Sequence, residues 1–150
     1  MERRDKVNYY LDLADVVSKR GTCLRRRYGA VIVKNDEVIS TGYVGAPRGR
    51  MNCSDLGFCI RQKMNIPRGE RYELCRSVHA EANAISKVAQ SGNSSKDATL
   101  YVTASPCMEC AKLIIQAGIK RVVYRDAYRI TDGIDLLKRA GIEIEQVNEA

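Results

Sequence analysis

The chain has 150 residues, 45% hydrophobic and 29% charged, and carries a net charge of +7. That length and balance predict one soluble, globular domain over 1–150 with a substantial core. No apolar run approaches the roughly 18 residues of a membrane span, and the charged start Met1-Glu2-Arg3-Arg4-Asp5 is unlike a secretory leader, so a cytoplasmic protein is expected.

Val7, Tyr10, Leu11, Ala14 and Val17 recur at helical spacing and predict an amphipathic helix over about 5–19, closed by Gly21. The apolar, β-branched run Tyr28-Gly29-Ala30-Val31-Ile32-Val33 predicts a buried strand. Asn35-Asp36 turns the chain, and Glu37 to Tyr43 returns as its hairpin partner. Residues 44–78 read as one long loop rich in Gly, Pro, Arg and Cys. Such a loop needs something to fix it inside a compact domain, and a metal is the natural staple. A helix is predicted from His79 to about Gln90, with Ala82, Ile85 and Ala89 toward the core, before Gly92-Asn93-Ser94-Ser95 breaks it. Thr99 to Thr103 is a strand feeding Pro106-Cys107, and a helix runs from about Cys107 to Ala117 with Gly118 closing it. Arg121 to Tyr124 is a strand, 132–140 a short helix ended by Gly141, and Ile142 to Val147 a last strand. Alternating strands and helices predict a three-layer α/β/α sandwich over a five-stranded mixed sheet, its last two strands parallel.

The chemistry concentrates in His79-Ala80-Glu81 and Pro106-Cys107-Met108-Glu109-Cys110. His79 is the single histidine. One imidazole and two thiolates give three ligands for a tetrahedral zinc and leave the fourth position for water or substrate. Zinc lowers the pKa of bound water toward neutrality. Glu81, a carboxylate that is not a ligand, is placed to shuttle protons. Cys107 and Cys110, three apart, point the same way on a helix, whose N-terminus favours the thiolate. His79 and Glu81, two apart, converge only at an open helix end.

Six cysteines in a cytoplasmic chain point to metal or catalysis before disulfides. Beyond the pair above lie Cys23, Cys53, Cys59 and Cys75, and four thiolates can close a structural zinc site. Such a site would pin residues 44–78 to the end of the first helix. The positive charge, much of it arginine, suits a phosphate-bearing partner, either a nucleotide or a nucleic acid.

On these residues the chain resembles the deoxycytidylate deaminase family of the cytidine deaminase superfamily. The resemblance runs through Thr22-Cys23, Gly29 to Val33, Ser40 to Pro47, His79 to Ile85, Tyr101 to Cys107, Ala117-Gly118-Ile119 and Val122-Val123-Tyr124. His-x-Glu with Pro-Cys-x-x-Cys is the signature of zinc deaminases. The resemblance implies a cytidine deaminase-like fold and hydrolysis of dCMP to dUMP and ammonia by zinc-activated water at C4. It implies that Glu81 moves the protons, and that backbone around Ala80 and Ser105 holds the base edge. Tyr128 matches a tyrosine that the family places near substrate, and Arg26, Arg27 and Arg48 are candidates for the 5′-phosphate. The resemblance also implies a second zinc near Cys23 and Cys53, and a homo-oligomer, possibly a hexamer.

One departure stands out. The family usually reads Gly-Tyr-Asn-Gly where this chain has Gly42-Tyr43-Val44-Gly45. That asparagine would bond the sugar 3′-hydroxyl, and valine cannot. Either another residue makes the contact or the substrate is not ordinary dCMP. Two rival activities share the zinc motifs. A nucleic-acid deaminase, acting for instance on tRNA adenosine, would suit the positive charge. It should interleave aromatics with the basic patch, yet the chain has no Trp and a single Phe, Phe58, beside eight Tyr. A deaminase of free nucleosides or nucleoside-like compounds would not need the arginines.

Overall fold

The computed structural model describes residues 2–127 and 130–148. Helix α1 (Lys6–Ser18) begins at Asp5, whose carboxylate accepts from the Asn8 N–H and caps the first turn. Strands β1 (Gly29–Lys34) and β2 (Glu37–Tyr43) form the hairpin. Asn35 and Asp36 both take positive φ, 52° and 62°, as a two-residue hairpin turn of matching twist requires. After the 44–78 segment come α4 (Ala80–Ser91), β3 (Thr99–Ala104), α5 (Met108–Gln116), β4 (Arg121–Asp126), α6 (Asp132–Arg139) and β5 (Glu143–Gln146).

The five strands lie in the order β2-β1-β3-β4-β5. β1 is antiparallel to both β2 and β3, while β3, β4 and β5 run parallel. The mixed sheet is thus as expected, with its parallel part extended by one strand. Alternation along the strands sends side chains to two cores. Val31, Val33, Tyr101 and Val123 meet Tyr10, Leu11 and Ala14 of α1 on one face. Ala30, Ile32, Leu100, Val102 and Val122 meet α4, α5 and α6 on the other. One helix below and three above make the three layers.

Three details differ from the sequence reading. On α4 the core stripe is Ala80, Ala84 and Val88, while Ala89 is exposed and Ala82 half-buried. The helix starts one residue after His79, and close packing on β2 turns Ala84, not Ala82, inward. Residues 44–78 are not one structureless loop. They hold two helical turns, α2 (Cys53–Leu56) and α3 (Ile60–Lys63), and a 3-10 turn at Tyr72–Leu74. Asn52 and Asp55 form a capping box at the start of α2. Arg61 is buried and donates to the carbonyls of Glu70 and Pro67 while stacking on the Tyr72 ring. These contacts organise the segment through its own polar groups. Finally, α5 begins at Met108, one residue after the expected start, with Cys107 just outside it as the N-cap.

Candidate active site

The site is built where α4 and α5 begin. Each helix leaves its first N–H groups unbonded within the helix and turns the positive end of its dipole toward one spot. His79 is the N-cap of α4, with extended backbone at φ −64° and ψ 153°. Glu81 sits in the first turn behind it. That placement lets two residues separated by one alanine serve the same point. Cys107 caps α5, and Cys110 lies one turn further in, buried.

The structure brings His79, Cys107 and Cys110 together: their ligand atoms all lie within 4.8 Å of one another. The Nδ1 of His79 is 3.3 Å from the Cys110 sulfur and 3.5 Å from the Cys107 sulfur. Among the described residues no other group of three potential ligands is so tight. One ring nitrogen and two sulfurs are a donor set suited to zinc.

The electrostatics fit that use. The Cys107 thiol is pulled well below its ordinary range, first by the hydrogen bond from Cys110, then by His79 and the Cys110 N–H, against the cost of burial. Cys110 is pushed up, because it donates to that thiolate and is itself buried. The same Cys107 contact raises His79. Glu81 is 6% exposed, and burial raises its carboxyl above the ordinary range. A buried carboxyl with a raised pKa beside three metal donors is suited to general acid–base work.

The remaining expected residues divide. Ala80 is fully buried at the first position of α4. Ser105 is buried at the end of β3, and its N–H donates to the Asp126 carbonyl. Val44 is buried in the inner core beneath α4. Arg26 is half-buried and bonds the Tyr28 hydroxyl, whereas Arg27 and Arg48 are exposed. Tyr128 lies outside the described residues. Cys23, Cys59 and Cys75 are near enough that the first two act electrostatically on the third. Burial raises Cys75. At Cys59 burial is outweighed by the N–H groups of Gln62 and Arg61 and by Arg25, so its thiol is lowered. The Cys53 sulfur lies 3.7 Å from the Ser77 hydroxyl. All four are free thiols.

Three residues that organise the site carry no ligand-spacing signal. A Cβ on Gly42 would come within 2.2 Å of the Ala80 carbonyl, so only glycine lets α4 lie this close to β2. A Cβ on Gly133 would meet the Pro106 carbonyl at 2.3 Å, so α6 rests directly on the cysteine turn. Asn83 bridges two segments beside His79. Gly42 and Asn83 lie inside stretches that carry the family resemblance; Gly133 is found only by its packing.

An α/β/α domain with His-x-Glu at one helix start and Pro-Cys-x-x-Cys at the next defines a zinc deaminase of the cytidine deaminase fold. The chain belongs to the family described by the cytidine and deoxycytidylate deaminase zinc-binding region, which matches residues 4–126. It is 35% identical to the deoxycytidylate deaminase of Enterobacteria phage T2, covering 95% of this chain and 92% of that one. It is 37% identical to the deoxycytidylate deaminase of Schizosaccharomyces pombe, but spans only 43% of that longer protein. The dCMP deaminase of cyanophage S-TIM5, solved in complex with dCMP and dUMP, superposes with a TM-score of 0.78 at 35% identity, covering 97% of this chain and all of that one.

Proposed function

We propose that this chain is a zinc-dependent hydrolase that converts dCMP and water to dUMP and ammonia. The observation that carries the reading is the buried Glu81 set beside one nitrogen and two sulfur donors at the meeting of two helix starts. The substrate rests on relatives named for deoxycytidylate and on the S-TIM5 structure holding dCMP and dUMP.

In this reading His79, Cys107 and Cys110 hold the zinc. When bound, it supplies the Lewis acidity that makes a water nucleophilic near neutral pH. Glu81 takes a proton from that water and delivers it to N3 as the C4–O bond forms. It then passes the second proton to the exocyclic amine, and the C4–N bond breaks to release ammonia. Burial of Glu81 suits the shuttle, because a raised pKa makes the carboxylate a stronger base toward the water and lets it hold the proton until it is passed on. Backbone at Ala80 and Ser105 orients the base edge, Val44 forms the wall beside the sugar, Arg26, Arg27 and Arg48 serve the phosphate end, and Tyr128 stands near the substrate.

A second zinc on Cys23, Cys53, Cys59 and Cys75 belongs to the same proposal. The electrostatic influence of Cys23 and Cys59 on Cys75 supports it, and Cys53, its sulfur 3.7 Å from the Ser77 hydroxyl, would complete the set. One deaminase domain over 1–150, a homo-oligomer and a cytoplasmic setting complete it. Among the described residues no helix is long and apolar enough to cross a membrane.

The test is ammonia release by zinc-loaded protein offered dCMP, CMP, deoxycytidine, cytidine and an adenosine-bearing tRNA stem-loop in parallel. Turnover of dCMP above the others is the expected result. Silence on dCMP with turnover of another substrate would overturn the assignment and make Val44 the mark of a changed specificity.

A further inference from the structure

The geometry points to Asn83 as a positioning residue that sets the gap between the His79 ligand and the chain wall at Val44-Gly45. It rests on the reading of Val44 as the sugar-facing wall.

Two backbone segments flank the site without belonging to α4. Val78 immediately precedes His79, and Gly45 immediately follows Val44. They pair as an isolated antiparallel bridge, Gly45 N–H to Val78 carbonyl at 3.2 Å and Val78 N–H to Gly45 carbonyl at 2.7 Å. A ligand-bearing segment and a wall segment are therefore joined by two hydrogen bonds in a bridge that lies just past the end of β2 at Tyr43, outside the sheet's own ladder.

Asn83 braces that bridge. It sits one turn into α4, its own N–H bonded to the His79 carbonyl at 2.9 Å. Its side-chain nitrogen donates to the Tyr43 carbonyl at 2.8 Å and to the Val78 carbonyl at 3.2 Å. Tyr43 precedes the wall residue and Val78 precedes the metal ligand, so one amide reaches both segments at the residue before the functional one. The Val78 carbonyl takes donors from both Gly45 and Asn83. Approach of α4 to β2 is set separately, by the missing Cβ at Gly42 and by the Ser40 hydroxyl, which donates to the Ala84 carbonyl at 2.7 Å. Gly42 and Ser40 fix how near the helix lies; Asn83 fixes where the wall stands along it. A carboxylate of the same shape cannot donate, and a leucine leaves both carbonyls without that partner.

Misplacement of a substrate-contacting group by about 1 Å costs up to roughly 100-fold in turnover efficiency. The wall touches the sugar while His79 and Glu81 serve the base, so the loss should fall mainly on KM and on sugar selectivity. The experiment compares Asn83→Asp and Asn83→Leu with Ser40→Ala, which removes a buried α4–β2 bond away from the wall. Zinc per chain, melting temperature, kcat and KM are measured on dCMP and CMP, with hydrogen exchange at the Gly45 and Val78 amides. The expected result is about 10- to 100-fold lower kcat/KM on dCMP in both Asn83 variants, carried mostly by KM. The dCMP-to-CMP preference should shift, zinc should be retained, and exchange should quicken at Gly45 and Val78. Ser40→Ala should lower the melting temperature and leave the preference unchanged. Losses that track zinc content or folded fraction, or a preference that moves no more than in Ser40→Ala, would overturn the proposal. A wild-type chain inactive on both nucleotides would sink the deaminase reading instead, and unchanged exchange at Gly45 and Val78 would then overturn the positioning role by itself.

Discussion

The backbone N–H of Cys110 points at the sulfur of Cys107, 3.5 Å away, so one candidate metal ligand caps the helix that carries the other. Metal affinity and helix stability are therefore linked at one atom, and two substitutions separate them. Serine keeps a capping oxygen but gives up the soft thiolate. Alanine gives up both. Cys107→Ser is expected to lose zinc while holding the stability of the metal-free chain near wild type. Cys107→Ala should lose zinc and a further ~1 kcal/mol. Metal analysis together with denaturant midpoints of metal-free proteins checks this, and equal midpoints for the two variants would refute the capping role.

Glu81 separates chemistry from assembly. Its carboxyl is buried beside the ligands but is not itself one of the clustered donors. Glu81→Gln keeps the volume and removes the proton carrier. Turnover should fall by at least about 100- to 10,000-fold, the usual weight of a general acid–base, with zinc content unchanged. Zinc lost along with activity would mean that Glu81 supports the metal and not the proton transfer.

How much of this was legible beforehand depends on the kind of interaction. His79, Glu81, Cys107 and Cys110 are marked by residue type and spacing, because a metal's ligand chemistry restricts which side chains can serve. The strands at Gly29 and Thr99 are marked by apolar β-branching. The contacts at Asn83, Gly42 and Gly133 are not, because they are distances between backbones far apart in sequence. Residues 44–78 misled for a related reason. Their Gly and Pro content suggests an unsupported loop, while their order comes from Arg61, a residue that composition places at the surface.

Gly133 tests one of those hidden contacts. An alanine there would place its Cβ 2.3 Å from the Pro106 carbonyl and 2.8 Å from the Cys107 carbonyl carbon, both backbone atoms that cannot swing aside. Gly133→Ala is expected to cost about 1–3 kcal/mol, as overpacking does, and to weaken zinc binding by displacing the cysteine turn. Thermal melts with and without zinc measure both. A variant that melts like wild type and holds zinc as tightly would mean that α6 yields without moving Cys107.

Arg61 tests the other. It is 3% exposed and makes its bonds to carbonyls at Pro67 and Glu70, so Arg61→Met keeps the stem and leaves both acceptors short of a donor. The expected cost is about 1–3 kcal/mol, felt locally. Hydrogen exchange should quicken over 60–75 and stay slow in β1 and β3. Removal of zinc from the cysteines nearby, or a Cys59→Ser change, should loosen the same segment if the second metal site exists. Exchange that responds to Arg61→Met but not to chelation would leave the segment organised by the arginine and refute the second zinc.

Tyr10 gives the fold a dependence on alkaline pH. Its ring is buried between α1 and the sheet, and its hydroxyl donates to the Asp36 carboxylate in the hairpin turn. Burial first, and that hydrogen bond second, push its pKa from 10.0 up to about 12. A raised pKa means that the folded chain holds the proton more tightly than the unfolded one. Below pH 10 both states are protonated and the contribution is fully present. Between pH 10 and about 12 the unfolded chain releases its proton while the folded chain keeps it, and stability falls with rising pH. Tyr10→Phe removes the titrating group, so its stability should decline less steeply across that window. Tyr101 and Tyr124 are also raised by burial and leave a residual slope. At neutral pH the variant should be weaker by about 1 kcal/mol, the worth of one such hydrogen bond. Denaturant midpoints of both proteins through that range decide the matter: curves that stay parallel from pH 10 to about 12 would show that Tyr10 ionises as easily in the folded chain as in the unfolded one.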